Sequence, residues 1–243
     1  MPTSVTASNA RAGRPRRHVA MLALAGIAAL GAACSTSPVA TSRDLVDAGD
    51  AVPGLRADIR YAGADNFVGA PVRGYEAPKC LLLRPAAEAL AAVARDLQRD
   101  GYVLQAFDCY RPRRAVRHFV EWARAPDDPA SRQRHYPHVE KSALLGTYIA
   151  ETSGHSRGLT IDLTLARCEA GSCAPLDMGT PFDFFDERAH TDSPLATAQQ
   201  RANRDRLRDA MARHGFRNYP LEWWHYTLDR GGPQPPLLDV PVR

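Results

Sequence analysis

Between residues 85 and 100 the apolar side chains Leu90, Val93 and Leu97 recur at helical spacing and Gly101 follows as a stop, which predicts an amphipathic helix. Residues 102–108 alternate loosely, as a strand does. Pro112 suits a first helical position, and behind it Val116, Phe119, Val120 and Ala123 make the apolar face of a second helix. Residues 124–143, rich in Pro, Asp, Arg and His, read as an excursion over the surface. Further on, residues 161–165 form a short apolar strand-like run, residues 195–214 a charged helix closed by Gly215, and residues 223–228 a second strand-like run. Helices and strands mix without regular βαβ alternation. The expected class is therefore α+β: one domain with a small, mainly antiparallel sheet and flanking helices.

The first 33 residues follow a different pattern. A basic stretch from Arg11 to Arg17 leads into the apolar residues 19–30 and then Gly31, Ala32 and Ala33 before Cys34, the plan of a signal peptide over residues 1–33. Its apolar part is shorter than the roughly 20 residues a membrane-spanning helix needs, so export is expected rather than a permanent transmembrane anchor. Small residues before Cys34 and Ser35-Thr36-Ser37 after it resemble a bacterial lipoprotein processing site, which makes Cys34 the lipidation candidate. Plain cleavage to a soluble periplasmic form is the alternative, and Arg16-Arg17 also permits twin-arginine export. Residues 34–52 are polar and small and read as a lipidated or flexible tether, leaving residues 53–243 as the folded domain.

The leader also accounts for the net charge of +4, because it holds four arginines and no acid, while the rest of the chain carries 27 basic and 27 acidic residues. A body so balanced has no electrostatic footprint for nucleic acid. Membrane contact is expected only through a lipid at Cys34, and no heptad or exposed apolar stripe announces an oligomer interface. With 44% hydrophobic and 24% charged residues, disorder is excluded.

In an oxidising compartment the four cysteines after Cys34 suggest pairing. Cys168 and Cys173 flank a turn-forming stretch, so a local disulfide is the first choice there, and Cys80 with Cys109 follows by elimination. The alternative for the latter two is a pair of free, buried thiols. CxxC spacing of a structural zinc site is absent, as are the GxxxxGK and GxGxxG loops of nucleotide-binding proteins.

Most histidines have plain surroundings: His118 on a helix, His135 and His138 in the polar excursion, His190 in a charged loop, His214 at a helix end. Two do not. His155 sits in the glycine- and serine-punctuated loop that leads to Asp162, and Asp162 lies inside the apolar run Ile161-Asp162-Leu163, where a carboxylate is costly to bury unless paired or bound to metal. His225 lies among aromatic residues in Glu222-Trp223-Trp224-His225-Tyr226. If the two strands pair, Asp162 and His225 face each other and the loop returns His155 toward them. Two imidazoles and a carboxylate suit one Zn²⁺ per chain with a fourth position open. Glu222 stands close enough to take a proton from a water there. A hydrogen-bonded Asp162–His225 pair is the plainer reading, and no other charge near these strands looks buried. A serine triad using Ser153 or Ser156 is a further option, without a GxSxG elbow to support it.

The spacing Ser153-x-His155-x-x-Gly158-x-x-x-Asp162 followed by Glu222-x-x-His225 resembles the peptidase family of D-alanyl-D-alanine carboxypeptidases and dipeptidases. Tyr61-Ala62-Gly63-Ala64-Asp65-Asn66-Phe67, Gly74-Tyr75-Glu76, Asp108-Cys109-Tyr110-Arg111-Pro112 and Met178-Gly179-Thr180-Pro181-Phe182-Asp183 narrow it to the D-Ala-D-Ala dipeptidases of the VanX type, over a body running from about Asp58 to the C-terminus. The resemblance implies His155, Asp162 and His225 as zinc ligands, Glu222 as catalytic base and Arg111 as the cation that stabilises the oxyanion. It also implies that Ser153, Tyr61 and Asp183 hold the dipeptide D-Ala-D-Ala, with Asp183 on its ammonium group. Cys109 stands where a glycine is often found. A D,D-carboxypeptidase trimming peptidoglycan stems and a non-catalytic exported module that binds wall peptide are the alternatives. The second would need neither Glu222 nor Arg111. Export favours cell-wall peptide recycling over antibiotic resistance, because the precursor pool that a resistance enzyme must reach is cytoplasmic.

Overall fold

The computed structural model describes residues 41–169 and 172–243. The leader and Cys34 lie outside the described residues. In chain order the elements are β1 (Leu45–Asp47), α1 (Ala48–Ala51), β2 (Arg56–Ala57), β3 (Leu81–Leu83), α2 (Arg84–Arg99), β4 (Tyr102–Asp108), α3 (Arg113–Arg124), α4 (Pro129–His135), β5 (Thr160–Glu169), β6 (Ser172–Pro175), α5 (Ala198–Ala212), β7 (Phe216–Tyr219) and β8 (Glu222–Leu228). The main sheet runs β2-β4-β5-β8-β7, with β6 also paired to β5. Only β2–β4 is parallel; the other pairs are antiparallel. β1 and β3 form a separate antiparallel pair. This is the mainly antiparallel α+β domain the hydrophobic pattern predicts.

Helix α2 follows its apolar stripe: Leu90, Val93 and Leu97 are buried, each contributing about 1.5–3 kcal/mol. It ends where Gly101 turns into the left-handed region at φ 78°. α2 and α5 pack against each other and against the sheet. On β5 the alternate residues Ile161, Leu163 and Leu165 are all fully buried. A second group of rings, Tyr61, Phe67, Phe119, Trp122 and Phe185, packs at centroid distances near 5 Å, and all of them but Trp122 wall the cavity described below.

Two expectations about the chain's organisation need correction. The segment read as a tether is ordered in its second half: β1 pairs with β3, and Ala48 and Val52 are buried. The Ala48 N–H also donates to the Cys80 carbonyl at 2.7 Å, so the folded body begins before residue 53. Residues 124–143 are likewise no mere surface excursion, since α4 lies within them and Ser131, His135, Tyr136 and Lys141 are buried. Apart from the His135 Nε2, their side-chain polar atoms are satisfied on the spot. Ser131 donates to the Phe67 carbonyl at 2.6 Å, and Lys141 Nζ donates to the Pro126 carbonyl at 2.9 Å while lying 4.2 Å from the Trp122 ring centroid.

Both disulfides are present, Cys80–Cys109 and Cys168–Cys173. The first ties the residue preceding β3 to the residue following β4. The second closes the β5–β6 hairpin, where the two cysteines are cross-strand partners.

Candidate active site

Antiparallel pairing sets Asp108 of β4 opposite Asp162 of β5, and Asp162 opposite His225 of β8, so the three stand in one row across the sheet. His155 comes from the preceding 3-10 turn, Gly154–Arg157, which Ser153 caps by accepting the His155 N–H. Gly158 closes that turn at φ 71°. A Cβ there would come within 3.0 Å of Leu45 and 3.1 Å of Leu83, so glycine is what lets the turn sit against the β1–β3 pair.

The His155 Nδ1 is 2.7 Å from the Cys109 carbonyl. A carbonyl only accepts, so Nδ1 carries the hydrogen and the Nε2 lone pair is free. That lone pair points toward Asp162 Oδ1 at 3.2 Å and His225 Nδ1 at 3.3 Å, and the last two atoms are 3.0 Å apart. Asp162 is 2% exposed, yet its Oδ1 has no aligned hydrogen-bond partner among the described residues. Three electron-pair donors so close together repel one another unless a cation or proton lies between them. Tetrahedral zinc ligands at about 2.0–2.1 Å are about 3.3 Å from one another, so this donor set fits such an ion. Burial opposes ionisation of Asp162, but the two imidazoles hold its carboxyl below the usual range. Burial also opposes the charge on His225, whose pKa Asp162 nevertheless raises.

Glu222 opens β8 where pairing with β7 shifts register. Residues three apart in a regular strand point to opposite faces. Here the Glu222 Oε2 nevertheless comes within 3.5 Å of His225 Nδ1. Burial, and then the Asp162 charge, push the Glu222 carboxyl up to about 7 against the pull of His225 and Arg111. That value suits a group that must both take and give a proton near neutrality.

Arg111 directs Nε and Nη2 at Asp108 Oδ2, each at 2.8 Å, and its Nη2 lies 3.5 Å from Asp162 Oδ2. Its guanidinium sits 4.9 Å from the Phe119 centroid and 5.2 Å from that of Tyr61. Burial works against its charge, but Asp108 keeps it firmly protonated. Asp108 is fully buried and also accepts from Tyr75 Oη and the Cys109 N–H. The pattern reading gave Asp108 no role. A charged residue ending an apolar strand three positions before an arginine was the available signal, and both Asp108 and Asp183 correct the expectation that no further buried charge lies nearby.

Tyr61 donates to both carboxylate oxygens of Asp183, at 3.0 and 2.9 Å. Burial pushes the Asp183 carboxyl well up, with Asp162 adding to it and Tyr61 and Arg111 opposing. Tyr61, Asp183, Ser153, Arg111, Asp162, Glu222 and His225 all line one cavity of about 320 Å³, at the lower end of the roughly 300–1,000 Å³ of small-molecule sites. Neither serine is placed for a triad. Ser153 Oγ accepts the His155 N–H, and Ser156 Oγ has no partner among the described residues.

The family model described as D-ala-D-ala dipeptidase, peptidase family M15, matches residues 41–242. A D-alanyl-D-alanine dipeptidase of Enterococcus faecium is 41% identical over 194 residues, covering 79% of this chain and 95% of its own. Those of Streptomyces coelicolor and Escherichia coli are 38% and 35% identical over 192 and 196 residues, which cover 79% and 81% of this chain and 94% and 90% of theirs. With a match spanning nearly every described residue, the chain belongs to the M15 peptidase family of D-Ala-D-Ala dipeptidases.

Proposed function

We propose that the protein is an exported zinc-dependent dipeptidase that hydrolyses D-Ala-D-Ala to two D-alanines. One observation carries the reading: His155 Nε2, Asp162 Oδ1 and His225 Nδ1 converge, the carboxylate oxygen lacking an aligned hydrogen-bond partner among the described residues, beside the buried Glu222. These three atoms would hold one zinc ion, which when bound supplies Lewis acidity and lowers the pKa of a water from 15.7 to about 7. Glu222 takes a proton from the attacking water as the water oxygen adds to the amide carbon. It delivers that proton to the departing amine as the C–N bond breaks. Arg111, held by Asp108 and flanked by two rings, faces the negative charge that grows on the carbonyl oxygen. The Tyr61–Asp183 pair and Ser153 receive the dipeptide, Asp183 taking its ammonium group. An N-acylated peptide would leave that buried carboxylate without its partner, which is the physical basis for preferring a free dipeptide.

The test is incubation of the mature protein with D-Ala-D-Ala, with zinc and with a chelator, measuring free D-alanine. Release that stops on chelation and returns with zinc is expected. No release under any metal condition would leave the binding module, and efficient cleavage of N-acylated pentapeptide stems would favour the carboxypeptidase. The leader pattern and Cys34 support a periplasmic site of action, with a lipid anchor if Cys34 is processed, and recycling of wall fragments as the role. Recovery of the mature protein in the cytoplasmic fraction would overturn this assignment.

A further inference from the structure

Asp183 is the one non-glycine residue among those described whose backbone is left-handed, at φ 57°. L-residues resist that region, and such a conformation persists only where its surroundings over-determine it. Tyr61 grips the side chain, but the backbone is held by a different residue. His135, at the end of α4, places its ring Nδ1 3.1 Å from the Asp183 carbonyl, and because a carbonyl only accepts, Nδ1–H donates. The His135 carbonyl in turn accepts the Phe185 N–H at 2.7 Å. One residue thus clasps both ends of the Asp183–Phe185 turn. The residue is 6% exposed, its ring packs edge-on to Phe67, and its Nε2 has no partner among the described residues. An apolar side chain would avoid that unpaired nitrogen, so the feature this position gains from histidine is the Nδ1–H bond. The ring itself lines a different cavity, and His135 is absent from the wall of the active-site cavity.

We infer that His135 is a positioning residue for substrate recognition, fixing the strained Asp183 turn so that its carboxylate meets the dipeptide ammonium; this rests on the reading of Asp183 given above. The test compares two polar substitutions. His135→Asn puts an amide N–H where Nδ1 stands, whereas His135→Gln puts it where Nε2 stands, beyond reach of the Asp183 carbonyl. With D-Ala-D-Ala and its N-acetyl derivative as substrates, His135→Gln should raise KM for the free dipeptide about tenfold and narrow the preference for it. Its kcat should stay within about twofold and its zinc content unchanged. His135→Asn should stay near wild type in KM and preference. A purely structural role would lower the active fraction, and so kcat, in both variants without moving KM. Wild-type KM in both variants, or an equal rise in both, overturns the inference. Asp183→Asn in the same assay separates the two ideas. If it keeps wild-type KM and preference, the ammonium reading itself fails; if it loses them while the two His135 variants match each other, only the role of His135 falls.

Discussion

Replacing Glu222 by Gln should stabilise the metal-free protein at alkaline pH while abolishing hydrolysis. The folded state raises the Glu222 carboxyl from 4.5 to about 7, chiefly by burial, so ionising it costs about 3 kcal/mol more in the folded than in the unfolded chain. A raised folded pKa means the folded state binds the proton more tightly. The stability it confers is complete below the unfolded pKa and is lost as pH rises through about 7. Glutamine is neutral at every pH and escapes this loss. Urea denaturation of chelator-treated wild type and Glu222→Gln at pH 4 and pH 8.5 reads the effect directly. The two should be nearly equal at pH 4, and the variant should be more stable at pH 8.5 by about 3 kcal/mol. The same stability difference at both pH values would show that the carboxyl does not titrate as argued. It would also remove the reason for treating it as a base poised near neutrality.

Arg111→Ala should retain zinc but lose on the order of a hundredfold or more in kcat, about 2.7–4 kcal/mol for a donor aimed at developing charge. Unchanged turnover with full metal content would take Arg111 out of the mechanism. His155→Ala and His225→Ala should each fail to hold zinc, checked by elemental analysis of the folded variants after dialysis, whereas Glu222→Gln should keep it. For the disulfides, sequence separations of 29 and 5 residues imply denatured-state constraints of about 3.5 and about 2 kcal/mol. Cys80→Ser/Cys109→Ser should therefore lower the denaturation midpoint further than Cys168→Ser/Cys173→Ser, and the reverse order would contradict the loop-length argument.

What could be read ahead of the structure was whatever leaves a local trace. The α2 stripe did, and so did a carboxylate inside Ile161-Asp162-Leu163, because an apolar run announces burial and a charge within it asks for a partner. Pairing Asp162 with His225 needed only the assumption that two strands are neighbours, and that register is the observed one. The environment of Arg111 left no such trace. Its burial depends on Tyr61, Asp108 and Phe119, and only the resemblance to known peptidases singled it out. Helix α4 was missed because its apolar content is slight; what docks it is Ser131 on the Phe67 carbonyl and Tyr136 against Trp122, contacts between segments far apart in sequence. β1 was missed for a similar reason, since three residues cannot show a period and pairing with β3 is what makes them a strand.

The row Asp108–Asp162–His225 ties the chemistry to the sheet's register. Side chains alternate along a strand, so sliding β5 by one residue would turn Asp162 to the opposite face and expel Ile161, Leu163 and Leu165 from theirs. The slip would set those apolar side chains among the polar groups of the other, equally buried face and drive Asp162 and Thr164 into the apolar one, which opposes it. Electrostatics pulls the other way. Asp108, Asp162, Asp183 and Glu222 are all buried around the guanidinium of Arg111, which touches Asp108 and approaches Asp162. Burial raises Asp183 and Glu222 toward their neutral forms, while Asp162 stays ionised between its imidazoles. The apolar half of β5 thus holds in place a set of charges that would not assemble by itself, and a divalent cation at the three convergent atoms would relieve the strain the sheet imposes. Metal affinity and sheet stability are therefore two readings of one structural constraint, and a change that loosens the β4–β5–β8 register should weaken both together.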